Sequence, residues 1–363
     1  MEKVKQIAVV AVLGLVLWGI ALAHLALPDN SVSSAERRPL EQLPVLTAEG
    51  VFSGDYFAEL EQYLLDQFPL REQFRSLKAN FRCKVLGMQD NNGIYAADGH
   101  LSKLEYPMQS HQAQLAVDKI NSVIQKHPEM GAVYYGLIPD KNYFLAEKNG
   151  FPVMDYDALV QLAQGIDGQY IDLFPLLSID DYYRTDSHWR QERIVPVAQA
   201  LCRAMGTQTA GVEQYTPVSR DGFYGVYAGQ SALQVEAETL TTLTGAVTDS
   251  AVIKSVEHKT TMPMYTWQDF EGVDPYDVYL SGAEAIVTME NPLAENNREL
   301  VVFRDSFGSS IAPLSVSTKR PLGKYPRQKS SIILATSSTN FLSLSVCAKS
   351  GAADASRTAR IAW

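Results

Sequence analysis

The sequence has few of the residues that form disulfide scaffolds and metal sites. Its 363 residues include only three cysteines, Cys83, Cys202 and Cys347, and six histidines. The cysteines are odd in number, widely spaced and without a metal-ligand pattern. We therefore expect neither a disulfide framework nor a cysteine metal site, and no cofactor or metal is predicted.

Positive charge is scarce as well. The chain has 31 Lys and Arg against 41 Asp and Glu, which gives a formal net charge of -10 and a sequence pI near 5.2. A nucleic-acid-binding protein needs a basic surface to neutralise phosphates. This composition argues against nucleic acid as a partner.

The N-terminus carries a long apolar run. Residues 7–27 are apolar apart from His24, and Lys3 and Lys5 precede them. A helix of this length crosses a hydrocarbon core of about 30 Å, and the two lysines keep its start in the cytoplasm. Residues 1–28 are therefore predicted to be a single-pass cell-membrane anchor, with the bulk of the chain extracytoplasmic.

A cleaved signal peptide is the alternative interpretation of this run. Ala21-Leu22-Ala23 has the small residues of a cleavage site. The apolar run continues past that site, which favours an uncleaved anchor.

After the anchor, residues 29–50 are predicted to be a linker, because they contain Pro, Ser and charged residues without periodicity. Residues 51–213 are predicted to form the first part of an α/β domain with N-terminal helices. Within 52–85, apolar residues at helical spacing predict two amphipathic helices that are broken at Pro69. Asn91-Asn92-Gly93 and Asp98-Gly99 then predict a small hairpin.

The next stretch alternates helices and strands. We expect helices over 111–127 and 156–164, and strands over 132–138 and 170–173. This rhythm predicts a mostly parallel sheet with helices on both faces. Pro139-Asp140-Lys141 follows the first strand, at the end of a parallel strand where α/β proteins place ligand contacts.

Residues 299–311, with the sequence ELVVFRDSFGSSI, predict a buried strand, a sharp turn and a helix start. A serine on such a turn is exposed at the edge of the sheet, close to helix N–H groups that can stabilise an oxyanion. Ser306 is therefore a candidate nucleophile. The alternative is that Asp305 and Ser306 only cap a structural helix.

A second polar stretch contains Asp186 and His188. In an extended loop, side chains two residues apart leave the same side of the backbone. The carboxylate can then fix the imidazole tautomer and direct the free nitrogen at a nucleophile. The alternative is that Asp186 caps a helix over 189–205, with His188 in its first turn. Together with Ser306, these residues supply the three groups of a Ser-His-Asp triad.

The combination of Asp-Ser-His-Trp at 186–189 and Arg-Asp-Ser-Phe-Gly at 304–308 resembles the DHHW proteins of Gram-positive bacteria. These are relatives of the alginate O-acetyltransferase group within the SGNH-hydrolase-like fold. Further similarity lies in the segments at residues 66–71, 92–95, 138–141 and 274–277, read as DQFPLR, NGIY, IPDK and DPYD. The resemblance covers about residues 36–314.

This resemblance implies a three-layer α/β/α domain with a β-rich insertion. It also implies acyl transfer or ester hydrolysis on a cell-surface polysaccharide, with Ser306 as nucleophile and His188 and Asp186 as the acid-base pair. The partners implied are the polysaccharide and an acyl donor, and a membrane-bound acyltransferase is a candidate partner. Two departures stand out: Ser187 replaces the first His of the family name, and Arg304 replaces a Gly common in SGNH enzymes.

Other residues are weaker candidates. The Ser306 N–H is the natural first oxyanion donor, and further donors are expected from Tyr224-Gly225 or Gly229-Gln230-Ser231. The weaker candidates for oxyanion stabilisation or substrate binding are Arg304, Tyr183, Trp189, Tyr224, Gln230 and Lys141.

The last two-fifths of the chain depart from the helix-strand rhythm. Residues 214–291 are predicted to be a β-rich inserted subdomain of short antiparallel strands, and 292–314 carry the nucleophile turn. Residues 315–363 form an atypical basic tail, rich in Ser and Thr, in which Asp354 is the only acidic residue. We interpret it as an altered C-terminus, for example after a reading-frame shift, that has lost native strands, although residues 331–335 still suit a strand.

A second function of a different class fits the same residues. The chain could keep the fold as a catalytically silent glycan-binding or envelope-assembly protein. Hydrolysis of a small acetyl ester separates the two hypotheses, because a silent binder has no such activity.

Overall fold

The computed structural model describes residues 2–282, 284, 286–293, 299–315, 329–336 and 359–362. The chain divides into two compact units. The first contains Met1–Asn91 and Gly229–Gln234, and the second contains Asn92–Ala228 and Val235–Trp363.

The first unit is mainly helical. Its elements are α1 (Glu2–Ala26), β1 (Val32–Ser33), β2 (Arg38–Pro39), α2 (Ala48–Ser53), α3 (Asp55–Asp66), α4 (Arg71–Asn80), a π-helical turn (Phe81–Val85) and β3 (Asp90–Asn91). Helix α1 is long and apolar enough to cross a membrane, and none of its residues is buried in the protein. The predicted pair of amphipathic helices is confirmed, since α3 ends and α4 begins on either side of Pro69.

Residues 29–50, predicted as a linker, are more ordered than that prediction implies. They contain the β1–β2 pair and the start of α2. Arg38 donates two hydrogen bonds, of 2.8 and 2.6 Å, to the carboxylate of Asp66 on α3. Arg38 thereby lowers the pKa of Asp66 to about 2. This charge-assisted pair holds the segment on α3, and composition alone does not reveal it.

The second unit is a mixed α/β structure. It begins with β4 (Ile94–Ala97), β5 (His100–Lys103), α5 (Ser110–Lys126), β6 (Ala132–Ile138), α6 (Lys141–Leu145), α7 (Tyr156–Ala163), β7 (Gln169–Tyr170) and α8 (Val195–Ala204). It continues with β8 (Thr216–Phe223), α9 (Val226–Ser231), β9 (Glu238–Thr244), α10 (Ala246–Ser250), β10 (Val252–Ser255), β11 (Thr261–Met262) and β12 (Ile286–Glu290). The last three residues of α9 belong to the first unit. The last elements are β13 (Glu299–Phe303), α11 (Ser306–Ser315), β14 (Lys329–Thr336) and β15 (Ala359–Ala362).

An eight-stranded sheet organises this unit, in the order β11-β10-β12-β15-β13-β14-β6-β7. The strands from β15 to β7 are parallel, and those from β11 to β15 are antiparallel. Neighbouring residues of one strand enter different core clusters, as Leu137 and Ile138 of β6 do. Buried residues of α5 and α7 belong to one cluster, and those of α8 and α11 belong to the other.

Residues 214–291 do not form one separate subdomain. Strands β8 and β9 form their own antiparallel pair, but β10, β11 and β12 extend the main sheet. Ile253, Val287 and Met289 are buried in the main core. The apolar residues of these strands therefore need the main sheet, which explains the difference from the prediction.

The segment 315–363 contributes two strands to the sheet. Strand β14 includes the predicted residues 331–335 and pairs with β13 and β6, while β15 pairs with β12 and β13. These two ranges supply hydrogen-bond partners on both sides of β13, and the altered C-terminus stays a prediction. The prediction for residues 316–328 and 337–358 lies outside the described residues.

Candidate active site

Ser306 is the first residue of α11, directly after the turn that follows β13. Asp305 holds this turn, because its Oδ1 accepts a 3.0 Å hydrogen bond from the Phe307 N–H and its carbonyl accepts another from Gly308. A Cβ on Gly308 would lie 2.3 Å from Cβ of Arg304, so only glycine lets the helix start this close to the strand. The predicted strand-turn-helix around Ser306 is confirmed.

Arg304 is buried in this turn, with 1% of its surface exposed. Its guanidinium donates hydrogen bonds to the Ser309 hydroxyl and to the Asp305 carbonyl. Burial lowers the pKa of Arg304 to about 10. The structure therefore places this residue, a weak candidate for substrate binding, where it supports the turn and the first residues of α11.

Asp186 and His188 lie in a tight reversal of the chain and not beside a helix start. The Tyr183 N–H donates to the His188 carbonyl at 3.1 Å, and Tyr182 and Trp189 form a β-bridge. The helix expected over 189–205 begins only at Val195, after a 3-10 turn at Gln191–Arg193. The alternative interpretation, in which Asp186 caps a helix and His188 sits in its first turn, therefore does not apply, because this reversal takes up the chain before the helix.

The structure brings the three predicted residues together. His188 Nδ1 lies 2.6 Å from Asp186 Oδ1, and His188 Nε2 lies 2.6 Å from Ser306 Oγ. A proton on Nδ1 that is donated to Asp186 leaves Nε2 to accept the Ser306 hydroxyl. Asp186 is fully buried and His188 is 7% exposed, so both stand in a largely water-free setting. This is the arrangement that a serine nucleophile and its base require.

The carboxylate of Asp186 has further hydrogen-bond donors. Oδ1 also accepts the backbone N–H of His188 at 3.0 Å, and Oδ2 accepts the N–H of Val226 at 2.8 Å. Both oxygens are therefore engaged by hydrogen-bond donors. These contacts fix the orientation of the carboxylate that faces the imidazole.

A buried clamp on Thr185 holds the residue before Asp186. Glu238 accepts the Thr185 N–H at 2.7 Å, its hydroxyl at 2.6 Å, and the Arg184 N–H at 2.7 Å. The Gly225 N–H in turn donates to the Thr185 hydroxyl at 2.9 Å. This assigns the Gly225 N–H to the clamp and not to an oxyanion, contrary to the expectation for Tyr224-Gly225. Sequence reasoning missed Glu238 altogether.

Lys141 is buried on the other side of the same loop. Its ammonium donates to the carbonyls of Tyr183, Arg184 and Asp186 at 2.8, 3.0 and 3.1 Å. Burial lowers the pKa of Lys141 to about 7, against the opposing effect of Asp186 and Glu238. All three of its donors serve backbone carbonyls, so Lys141 is placed to position the loop.

Aromatic rings enclose the imidazole. The Tyr276 ring stacks on His188 with centroids 3.9 Å apart and an interplanar angle of 11°, and the Phe307 ring lies 4.8 Å away. Burial raises the pKa of Tyr276 well above its usual value, and its hydroxyl donates to Ser310 Oγ. Tyr276 belongs to the Asp-Pro-Tyr-Asp segment at 274–277, whose contact with the histidine the sequence did not indicate.

Trp189 is hydrogen-bonded to α11. It is fully buried, and its indole N–H lies 2.8 Å from Ser310 Oγ and 3.2 Å from the Phe307 carbonyl. The neighbouring Gln191 donates to the Ser310 carbonyl at 2.7 Å and accepts the Leu243 N–H. Trp189 thus connects the histidine loop to α11 and offers no exposed face to a substrate.

The remaining weak candidates are more dispersed. Tyr183 is buried in an aromatic core with Phe223, and Tyr224 is 53% exposed. Gln230 belongs to the first compact unit. Among the described residues, Glu257, His258 and Glu284 have ligand atoms within 4.8 Å of one another, but they lie near the surface and include no triad residue.

Comparisons with known proteins agree with this architecture. No protein-family model and no curated protein matches the sequence. A DHHW family protein from Eubacterium siraeum is 18% identical, with a TM-score of 0.56 over 68% of this chain and 91% of that chain. Bacillus cereus PatB1 is 17% identical, with a TM-score of 0.53 over 68% of this chain and 96% of that chain.

PatB1 has also been solved with a sulfonyl adduct, at a TM-score of 0.50. The O-acetyltransferase domain of Pseudomonas putida AlgJ is a structural neighbour at 14% identity and a TM-score of 0.34, over 67% of this chain and 79% of that chain. The fold of this chain is therefore similar to the folds of a DHHW family protein and PatB1, which confirms the predicted resemblance at the level of structure.

Proposed function

We propose that this chain is a membrane-anchored, extracytoplasmic serine O-acyltransferase, of the O-acetyltransferase kind, or an esterase that acts on a cell-surface polysaccharide. One observation carries the proposal. Asp186, His188 and Ser306 form a continuous series of two 2.6 Å contacts, and the serine stands at the start of a helix. A serine that only caps a helix does not require a buried imidazole and carboxylate hydrogen-bonded in series to its hydroxyl, whereas a nucleophilic serine does.

The reaction that this geometry supports begins on the serine. His188 Nε2 accepts the hydroxyl proton as Ser306 Oγ attacks the carbonyl carbon of an acyl ester. Asp186 stabilises the imidazolium that forms and remains a carboxylate. The tetrahedral intermediate collapses, its bond to the donor alcohol breaks, and His188 returns the proton to that alcohol. The product is an acyl-serine at Ser306.

The second half uses the same groups in reverse. An acceptor hydroxyl gives its proton to His188 as its oxygen attacks the acyl carbonyl, and Ser306 leaves with that proton. A sugar hydroxyl as acceptor gives a transferase, and water gives a hydrolase. The backbone N–H of Ser306, at the positive end of α11, is the oxyanion donor that we assign.

The architecture supports the setting that we propose. Two core clusters take helices α5 and α7 on one side and α8 and α11 on the other, which favours a three-layer α/β/α sandwich. Helix α1 is long and apolar enough to hold the chain in the membrane. A membrane-bound acyltransferase that delivers the acyl group to this face is the partner we propose.

The first experiment measures hydrolysis of p-nitrophenyl acetate by the full chain in detergent. We expect Ser306→Ala and His188→Ala each to lower the rate by about 1,000-fold or more, and the double variant to be no slower. Asp186→Asn is expected to cost somewhat less, because the base remains. Ser315→Ala is the matched control, since this serine lies on the same helix and donates to the Ile311 carbonyl.

A sulfonyl fluoride provides an independent readout. Ser306 Oγ displaces fluoride from the reagent, so we expect the mass of the sulfonyl group to be added at Ser306 in the parent and in Ser315→Ala, and no such addition in His188→Ala. Parental hydrolysis by Ser306→Ala, or no hydrolysis by the folded parent, would leave the silent glycan-binding protein as the better hypothesis. Addition of an acetylatable oligosaccharide then separates transfer from hydrolysis by the share of acetyl groups found on the sugar.

A further inference from the structure

An apolar stripe lies on the solvent side of α4. Leu70 directly precedes α4, Phe74 and Leu77 lie within it, and Phe81 begins the π-helical turn that follows it. Their spacings of four, three and four residues are those of one helical face. In this order the four residues are 64%, 48%, 64% and 51% exposed, whereas Ala79 on the opposite face is fully buried. A helix of a soluble protein normally turns such a face to the core. We call these four residues the apolar stripe.

The same exposure continues on α3. Phe57 is 57% exposed and Leu65 is 55% exposed. The two helices meet where the Phe68 ring contacts the Phe74 ring at 5.6 Å. Several large apolar side chains on adjacent helices of the first unit thus face away from its interior, and an exposed surface of this kind marks a contact with a partner or a membrane.

The end of α3 is attached to the end of α1. Gln67, at the C-terminus of α3, has its carbonyl 3.2 Å from Nδ1 of His24 in the last turn of α1. The Tyr63 ring contacts the His24 ring at 5.4 Å, and its hydroxyl donates to Asp29 just beyond α1. The apolar stripe begins three residues after Gln67. It therefore starts where the proposed transmembrane helix leaves the hydrocarbon.

Exposed basic residues accompany the stripe. Lys78 and Lys84 lie in the same turns as Leu77 and Phe81 and are exposed. Lysines beside an apolar face are typical of helices that lie in a membrane interface, where the ammonium groups meet lipid phosphates. The position beside α1 and this pairing of apolar and basic residues both indicate a lipid surface as the occupant.

We propose that the apolar stripe rests in the outer leaflet of the membrane, so that α4 is a second, interfacial contact of the chain with lipid. The proposal rests on insertion of α1 and is independent of the triad. It adds a surface contact to a single transmembrane helix, and thereby restricts how the first unit can tilt and rotate on the membrane.

Photolabelling tests this contact in the full chain. The protein is reconstituted into vesicles of phosphatidylcholine and phosphatidylglycerol that contain a phospholipid with a diazirine in its acyl chain. The protein-to-lipid ratio is kept low enough that each vesicle holds one protein molecule. Labelled peptides are then mapped by mass spectrometry. We expect label in α1 and in residues 70–81, several-fold above the level in β8, which is largely exposed and mostly polar.

Variants make the test specific. Phe74→Ser with Leu77→Ser is expected to reduce labelling of residues 70–81 several-fold while α1 remains labelled. Gln73→Ser is the matched control, because Gln73 is an exposed polar residue of the same helix, and its labelling should equal that of the parent. Label in α1 with residues 70–81 at the level of β8 would overturn the proposal. Absence of label in α1 would overturn it together with the membrane anchor, whereas ester hydrolysis by the same sample still reports separately on the triad.

Discussion

Gly225→Ala is the substitution that best separates the geometry of the site from its chemistry. A Cβ on this residue would lie 2.3 Å from the carbonyl carbon and oxygen of Thr185 and from the backbone nitrogen of Asp186. Ordinary contact begins near 3.4 Å, so the two strands of chain must separate by about 1 Å. No reacting group is removed.

The consequence follows from two hydrogen bonds beside this contact. The Gly225 N–H donates to the Thr185 hydroxyl at 2.9 Å, and the Val226 N–H donates to Asp186 Oδ2 at 2.8 Å. A separation of about 1 Å lengthens both beyond useful distance and frees the carboxylate that orients His188. A misplacement of about 1 Å costs on the order of 100-fold in rate, or about 2.7 kcal/mol of transition-state stabilisation.

The assay is hydrolysis of p-nitrophenyl acetate, with kcat and KM measured separately. We expect kcat to fall about 100-fold while the variant still labels with sulfonyl fluoride, only more slowly. Val226→Ala is the matched control, because it trims a side chain but keeps the N–H that binds Asp186. Thermal unfolding checks that Gly225→Ala is folded. A folded Gly225→Ala with parental kcat would refute the argument that this close approach positions Asp186.

Three further predictions concern the surroundings of the site. Burial lowers the pKa of His100 from 6.5 to about 4, so the unfolded state binds more protons than the folded state between these pH values. Denaturant titrations should therefore show the free energy of unfolding falling by up to about 3 kcal/mol as the pH falls from 6.5 to 4. His100→Gln should remove this pH dependence, and an unchanged pH dependence in that variant would assign it to another group. Trp189→Phe should lower the free energy of unfolding by about 1–3 kcal/mol, measured with urea, because Ser310 loses a buried donor; an unchanged midpoint would contradict this. Glu238→Gln should lower both the free energy of unfolding and the rate of ester hydrolysis, since an NH2 group replaces one of the carboxylate oxygens that accept hydrogen bonds in the clamp on Thr185. Glu236→Gln, at an exposed position, should change neither, and equal effects of the two substitutions would contradict the role of Glu238 in the clamp.

Local patterns in the sequence were sufficient for several elements. The apolar run at 132–138 is strand β6 with those bounds, and the amphipathic spacing around Pro69 is α3 and α4. Ser306, with its flanking strand and small residues, predicted the turn in which it lies. Each of these depends on residues that are neighbours in the chain, and helix and strand periods are expressed over such distances.

The helix over 189–205 in the alternative interpretation and the single subdomain predicted over 214–291 differ from the structure for a common reason. The chain at 182–190 pairs with itself across the Tyr183–His188 contact, and this delays the helix to Val195. The sequence around Ile253 and Val287 is typical of a small antiparallel unit, but in the structure these residues are buried in the core of the main sheet. Where a segment can pair either locally or with a distant strand, the pairing that buries more of its apolar side chains is the one that forms.

The candidate triad separates what the sequence determines from what only the tertiary structure decides. The residue types of Asp186, His188 and Ser306 and the two-residue spacing of the first pair are visible in the sequence. Their 2.6 Å contacts, the Tyr276 ring against the imidazole and the carboxylate of Glu238 on Thr185 are not. Apart from the Asp186–His188 pair, these contacts join residues that are 53 to 118 positions apart in the sequence. Only the folded sheet and its loops bring such residues together, because the hydrogen bonds and packing that hold them exist only between elements that have already folded against one another.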